Sequence, residues 1–584
     1  MSDLLEQLQG EIDRERLMET VRTMTERFPY RLAGSACCAD AAGYVTRRME
    51  ELGMDCQCQE FYTYNSAPLA SSVQIMEPVQ KRLDSLPCGH IRSTAAEGED
   101  FELVYVGDGA RESYRGKDVR GKMVLVEVSY APPVPEKACI AVEMGAAGIM
   151  CMNWGNDEEV ICHRALKSVW GNPTEQSFPQ IPDLVGVGVT RLAGLELREL
   201  CRKGRVVVHV KALADRTWSK VQQPHGVIRG NGRSDEFLLL ASHLDAWQPG
   251  VTCNATGNAT ALELCRVLSA HREELDRDVH VVFWNGHEIA EAAGSTWFVD
   301  HHWELLNQKC IAYIHADSTG VSQTEVLEIK ISGELAGFAR QSAADWPDEK
   351  LRMMSLKKIG DMSTMGIGIP ALCQRIAFSR QAMEAAHGAT LGWWNHTCRD
   401  SLDKCSPDTL YQDTVIHAKL ICGLLNTPIL PYAFSEKLSG IACTVDRLAG
   451  DCQAHLDLSD LQQAIRTTRE LVQAAEDRRD SLTAEQIPVF NDFVKAVSRH
   501  LTNIFQTYAE KYGQDRYGFY KLAADIPLLA DLERLGELDP SGLEYGLVET
   551  QLVRNKNRIL DGLKNICDLA RLTILVLAQK EAGQ

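Results

Sequence analysis

Residues 281–298 read VVFWNGHEIAEAAGSTWF, and residues 238–261 read LLLASHLDAWQPGVTCNATGNATA. In each, a short apolar run stops at residues a hydrophobic core does not choose. The first ends in His287 and Glu288, the second in His243 and Asp245. In an open α/β sheet, ligands bind at the carboxyl ends of the strands. Two strand ends carrying imidazole and carboxylate therefore form a candidate metal site.

Outward from these runs, strand and helix alternate. Residues 236–245 predict a strand, 256–275 a helix, 278–288 a strand, 290–306 a helix and 309–320 a strand. The alternation predicts a doubly covered α/β sheet with parallel neighbours. Residues 368–378 predict a further strand, and 393–410 a loop that opens a helix. Upstream, one helix is expected over residues 4–27, then the Pro/Gly-marked loop FPYRLAGS (28–35), a helix at 39–52 stopped by Gly53, and an edge strand at 54–64. From 66 to 220 strands and turns dominate, with no cluster of His, Asp and Glu, which suits a wall or lid over a site built elsewhere. After residue 428 the chain is helical. Leu461, Ile465, Thr468, Leu471, Val472 and Ala475 share one helical face; Phe490, Phe493, Val497, Leu501, Ile504 and Tyr508 share another; a last helix covers 547–577. These stripes read as core or subunit-interface faces.

The 584 residues exceed one core and imply roughly two to four domains. A formal charge of −19 argues against nucleic acid and anionic membranes as partners, because both repel an acidic surface. The N-terminus is a charged amphipathic helix without the apolar core of a signal peptide, and no apolar run reaches the ~18 residues of a spanning helix. The 19 cysteines, odd in number and irregularly spaced, then read as free thiols of a cytoplasmic protein. Cys37 with Cys38, and Cys56 with Cys58, read as small apolar residues before they read as metal or redox pairs.

Four strand or loop ends present metal-type ligands: His243, Glu288, Asp317 and His396. Three protein ligands with an open position is the catalytic form of a zinc site. Asp245 lies two residues after His243, on the same side of an extended strand, so its carboxylate is expected to orient that imidazole.

The ordered pieces HLDAW (243–247), GVTCNATGNA (250–259), GHEIAEAAGS (286–295), YIHADS (313–318) and NHTCRDSLDK (395–404) resemble the motif series of the co-catalytic zinc aminopeptidases and carboxypeptidases. Bacterial and vacuolar aminopeptidases, glutamate carboxypeptidase II and the transferrin receptor ectodomain share that series. The resemblance covers nearly the whole chain. It implies a doubly wound mixed sheet of zinc-exopeptidase type (residues 1–65 and 221–428), an inserted β-rich protease-associated domain (66–220) and a C-terminal helical, dimerisation-like domain (429–584). By the same resemblance, His243 and Asp317 hold one zinc and Glu288 and His396 another. One ion or two, and another divalent metal in place of zinc, stay open. The expected partners are a small peptide or amide substrate and a second copy of the chain.

Two positions depart from the pattern: the bridging Asp is Cys253 here, and the catalytic Glu is His287. Three readings follow. A thiolate can bridge metal and a neutral imidazole can act as general base, giving an aminopeptidase-like hydrolase with His287 and Asp245 as catalytic residues and His243, Cys253, Glu288, Asp317 and His396 as metal ligands. Alternatively the chain is a catalytically silent binding or scaffold relative, as the transferrin receptor is. Or it runs other metal-assisted chemistry, as the single-zinc glutaminyl cyclases do. Arg375, Arg380 and Arg399 are candidate substrate anchors, and Trp393 and Trp394 either wall the pocket or pack.

Overall fold

The computed structural model describes residues 2–155, 160–452 and 454–582. Its centre is a mixed sheet of eight strands: β1 (Asp55–Glu77), β2 (Val207–Ile228), β3 (Phe237–His243), β4 (Asp278–Trp284), β5 (Cys310–His315), β6 (Val326–Ile331), β7 (Leu351–Ser355) and β8 (Ala371–Ala377). The spatial order is β7-β6-β8-β5-β3-β4-β2-β1. β3 lies between β4 and β5 and is parallel to both, and β5 is parallel to β8. β2 pairs antiparallel with β4, and β6 with β8, which makes the sheet mixed. All seven residues of β3 and all six of β5 are buried. That continuous burial is what an apolar run without alternation signals: both faces are covered.

β1 and β2 form one long antiparallel ribbon, paired from Asp55 opposite Val227 to Glu77 opposite Val207 with register shifts between Pro68 and Ala70 and between Ile75 and Glu77. Its near half is the edge of the main sheet; its far half carries the insertion. There Glu99–Tyr105 pairs with β2, and Met123–Glu127, Gly148–Met152 and Val185–Val189 follow as parallel neighbours. Residues 66 and 220 thus fall inside continuous strands. The insertion has its own core, with Met123–Val126, Ile149–Met152 and Val185–Val189 at its centre.

Two expected helices are each broken. The N-terminal one is Ser2–Glu11 and Arg14–Glu26, because extended Asp13 caps the second: its carboxylate accepts the N–H groups of Glu15 (2.8 Å) and Arg16 (3.2 Å). The stretch after Glu288 becomes Ala293–His301 and Trp303–Lys309, separated at His302. In the C-terminal region, helices Ser459–Glu476 and Ile487–Phe505 bury the two apolar stripes, partly against the 40-residue helix Leu543–Ala582. Tyr508 lies beyond the end of its expected helix. Among the described residues, no helix is long and apolar enough to cross a membrane.

Candidate active site

His243 is the last residue of β3 and fully buried. Its Nδ1 lies 2.8 Å from the backbone carbonyl of Asp245. A carbonyl only accepts, so Nδ1 carries the proton and Nε2 presents a lone pair. That Nε2 is 3.6 Å from Cys253 Sγ and 3.5 Å from Asp317 Oδ1. A tetrahedral zinc with ordinary bond lengths requires ligand edges of about 3.6 Å for nitrogen to sulfur and about 3.4 Å for nitrogen to oxygen. His243 therefore fits such an ion with Cys253 and with Asp317 in tautomer, donor chemistry and spacing, and the three ligand atoms all lie within 4.8 Å of one another.

The expected role of the Asp245 carboxylate is corrected. The chain turns after His243, which brings the Asp245 carbonyl, and not its side chain, to the imidazole. The carboxylate instead accepts the backbone N–H groups of His287 and Glu288, each at 3.0 Å. It shapes the turn that carries both residues.

Cys253 sits in the kinked turn Val251–Ala255 that leads into helix Thr256–Ala270. Gly250 opens the turn at φ +63°, and a Cβ there would lie 2.7 Å or less from Ala246, Cys253 and Trp247 atoms, so only glycine fits. Asp400 ties the turn down, accepting Thr252 N–H (2.9 Å), Thr252 Oγ1–H (2.8 Å) and Cys253 N–H (3.2 Å). Burial pushes the Cys253 thiol well up, and the Glu288, Asp317 and Asp400 carboxylates add to this. A bound divalent cation reverses that logic by favouring the thiolate.

Cys253 Sγ is also 3.5 Å from Glu288 Oε1 and 3.5 Å from His396 Nε2. All five expected metal-site residues thus gather in two groups that share Cys253: His243, Cys253 and Asp317, and Cys253, Glu288 and His396. His396 Nε2 lies 3.1 Å from Glu288 Oε1. Burial alone raises the Glu288 pKa, but His396, with His287 and His243 behind it, outweighs burial and holds the carboxyl down at about 2.

His287 stacks on His243, ring centroids 3.9 Å apart and 11° from parallel. Its Nδ1 is 2.8 Å from Asp361 Oδ2. Ser295 donates to the other Asp361 oxygen at 3.0 Å. Asp361 thereby fixes the imidazole with Nε2 available. Burial alone lowers the His287 pKa, yet the Asp361 carboxylate, its hydrogen bond, and Glu288 and Asp317 together raise it well above the ordinary value. His315 forms a second directed imidazole. Trp284 donates to Tyr313 OH (2.9 Å), which lies 2.9 Å from His315 Nδ1, leaving the buried Nε2 without a hydrogen-bond partner.

The groups open into a cavity of about 660 Å³ lined by all three parts of the chain. The main sheet contributes Glu328 and Arg375, the insertion Tyr130 and Arg164, and the C-terminal region Tyr517. Of the expected anchors, Arg375 is buried at the cavity, 3.5 Å from Glu328. Arg380 touches the cavity but is largely exposed and faces Glu384, while Arg399 does not line it. Trp393 and Trp394 pack on each other, with Trp394 donating to Thr252 Oγ1 at 3.2 Å. Sequence reasoning missed Asp361, Arg164 and Tyr517. None sits at the end of an apolar run or within a motif.

Residues 225–419 match the family model described as Peptidase family M28. The resemblance read from the motifs thus stands, on the segment that carries every candidate metal ligand. The fold is shared with a Peptidase M28 precursor from Shewanella amazonensis, at 17% identity and a TM-score of 0.59, over 73% of this chain and 96% of that one. A zinc aminopeptidase from Bacillus subtilis aligns at 19% identity and a TM-score of 0.55, over 70% and 95%. Among curated sequences, the probable glutamate carboxypeptidase VP8 of Zea mays is 22% identical over 343 residues, 49% of this chain and 48% of that protein. The match spans about half the length of that relative or less for others, such as 33% of human transferrin receptor protein 2.

Proposed function

We propose that this chain is a zinc-dependent hydrolase that removes a terminal residue from a small peptide or amide. The observation that carries the reading is the zinc-like spacing of His243 to Cys253 and to Asp317 beside an oriented His287–Asp361 pair that lines the same cavity. Those three residues would hold the metal, with Glu288 and His396 next to them. When bound, zinc polarises the scissile carbonyl and makes water a stronger acid. The chain's own groups do the rest. Asp361 holds His287 Nδ1–H, so Nε2 is the atom that takes the proton of the attacking water and returns it to the leaving amine. The surrounding carboxylates favour the imidazolium; a divalent charge beside His243 opposes them and frees Nε2 to accept. Asp245 and Asp400 position the turns that present Glu288 and Cys253. The M28 family match and the zinc aminopeptidase likeness support the reaction class.

The test is metal analysis of the purified chain, followed by turnover of aminoacyl anilides and of dipeptides with and without chelator. Zinc-restored, chelator-sensitive release of a terminal residue is expected. Metal content well below one ion per chain, or a zinc-loaded chain that cleaves none of these amides, would remove the proposal.

A further inference from the structure

The second group, Cys253, Glu288 and His396, looks like a mirror of the first until its protons are placed. Residues 162–164 of the insertion run alongside 395–396. Cys162 Sγ approaches Asn395 O at 3.2 Å, His163 N–H donates to His396 O at 2.8 Å, and Arg164 Nη1 lies 2.9 Å from His396 Nδ1. A guanidinium has five donors, no acceptor, and does not give up a proton in proteins. His396 Nδ1 must therefore accept, and the proton of the neutral ring sits on Nε2. That N–H points at Glu288 Oε1, 3.1 Å away, within the ordinary range of an N–H···O hydrogen bond and shorter than the ~3.4 Å edge a tetrahedral zinc needs. His243 is the opposite case: its Nδ1 donates to a carbonyl and its Nε2 is bare.

From this we infer that the chain holds one metal ion, at His243, Cys253 and Asp317, and that a hydrogen-bonded Arg164–His396–Glu288 relay stands where a second ion would sit. The inference rests on the proposed zinc-dependent reading and narrows it to a single-ion site. A bare ion could not bind His396 Nε2 without turning the ring proton onto Nδ1, against the Arg164 donor. Charge leads to the same conclusion. Ionised Cys253 and Asp317 balance one divalent cation, and Glu288 balances Arg164; a second divalent cation would be buried beside the Arg164 guanidinium, whose charge repels it. Arg164 is buried, with Nε and Nη2 lacking a hydrogen-bond partner, and it lines the cavity. At the cavity wall the guanidinium supplies the positive charge that a second metal would have provided.

Zinc stoichiometry tests this directly. The full chain is dialysed to equilibrium against zinc, freed of excess, and its metal counted by mass spectrometry. One ion per chain is expected for the wild type and for His396→Ala; His243→Ala should hold none. Arg164→Met, which keeps length but removes donor and charge, should rise from one ion to two, with unchanged circular dichroism. Cobalt-loaded wild type should show a sulfur-to-metal charge-transfer absorption that Cys253→Ser lacks. Two ions in the wild type, loss of the ion in His396→Ala, or a folded Arg164→Met that stays at one would overturn the inference. Two ions with turnover would leave the hydrolase reading standing, whereas one ion without turnover would sink that reading and leave this one.

Discussion

Replacing Asp361 by Asn isolates a single charge. Asp361 and His287 are 2.8 Å apart, with side chains 0% and 14% exposed, so solvent screens them little. Asn keeps the shape and can still accept from His287 Nδ1–H through its one oxygen. Ser295, which loses its Asp361 acceptor, retains Ser363 Oγ at 2.9 Å and Ala292 O at 3.2 Å. What disappears is the negative charge that stabilises the imidazolium formed as His287 takes a proton. A unit pair about 4 Å apart at an effective dielectric of about 20 interacts by ~4 kcal/mol. At ~1.36 kcal/mol per tenfold in rate, kcat should fall by ~10³. That magnitude lies inside the ~10²–10⁴ range of general acid–base catalysis. KM and zinc content should not change, because Asp361 is not among the residues that would hold the ion. The assay is steady-state anilide hydrolysis with metal counted on the same sample. A variant within threefold of wild-type kcat at full zinc content would refute the role given to the His287–Asp361 pair, and loss of zinc would show that Asp361 supports the ion instead.

His287→Ala should lower turnover by ~10²–10⁴ while zinc content stays at the wild-type value; unchanged turnover removes His287 as the proton carrier. Arg31→Ala should cost ~4 kcal/mol in denaturant unfolding, because the fully buried guanidinium donates to the carbonyls of Met24, Phe28, Leu244, Pro249 and Gly250, each of which would lose that bond, Gly250 keeping only the Ala255 N–H. A midpoint within error of wild type would contradict that count. Lys167 is buried, donates to Ala290 O at 2.7 Å, and burial lowers its amine from the usual 10.5 to about 7. Between those values the unfolded chain binds a proton that the folded chain does not, so this group's contribution to stability rises with pH from about 7 upward and is lost as pH falls through about 7. Relative to Lys167→Met, the wild type should gain stability between pH ~7 and ~10, and a flat difference would show that the amine is not depressed.

What the sequence showed, and what it hid, follows from where each residue gets its partner. His243, Glu288 and Asp317 are legible because a buried strand has no use for them: each interrupts an apolar run whose length already marks a sheet covered on both faces. Cys253 and His396 needed the ordered motif series as well, since a cysteine or a histidine in a loop is uninformative alone. Asp361 was not legible. It sits between Gly360 and Met362 with no periodicity around it, and its partner lies 74 positions upstream. Arg164 was hidden for the same reason, being aligned on His396 by backbone pairing between segments 232 residues apart. The Asp245 error is instructive. Strand alternation would put the side chain beside the imidazole, but the chain leaves the strand at His243, and a turn hands the imidazole a carbonyl instead. The N-terminal break at Asp13 was readable in principle, as an acidic cap ahead of a new helical turn.

The two departures from the motif series are also not independent of their surroundings, and this bears on whether the site is retuned or decayed. An imidazole at position 287 gains from a carboxylate partner, and Asp361 provides one in a buried position. A glutamate at 287 would meet that same buried carboxylate as a like charge, and one of the two would have to stay protonated. Restoring the motif's residue by His287→Glu should therefore not restore a better enzyme: turnover should drop at least ~10-fold below wild type, because a neutralised carboxyl is no base. The double variant His287→Glu with Asp361→Asn removes the conflict and should recover part of that loss at unchanged zinc content. If His287→Glu alone matched the wild type, the imidazole and its aspartate would be two unrelated substitutions that happen to touch. If the double variant is the better of the two, the pair is one unit, and the chemistry at position 287 is set by a loop residue that no motif marks.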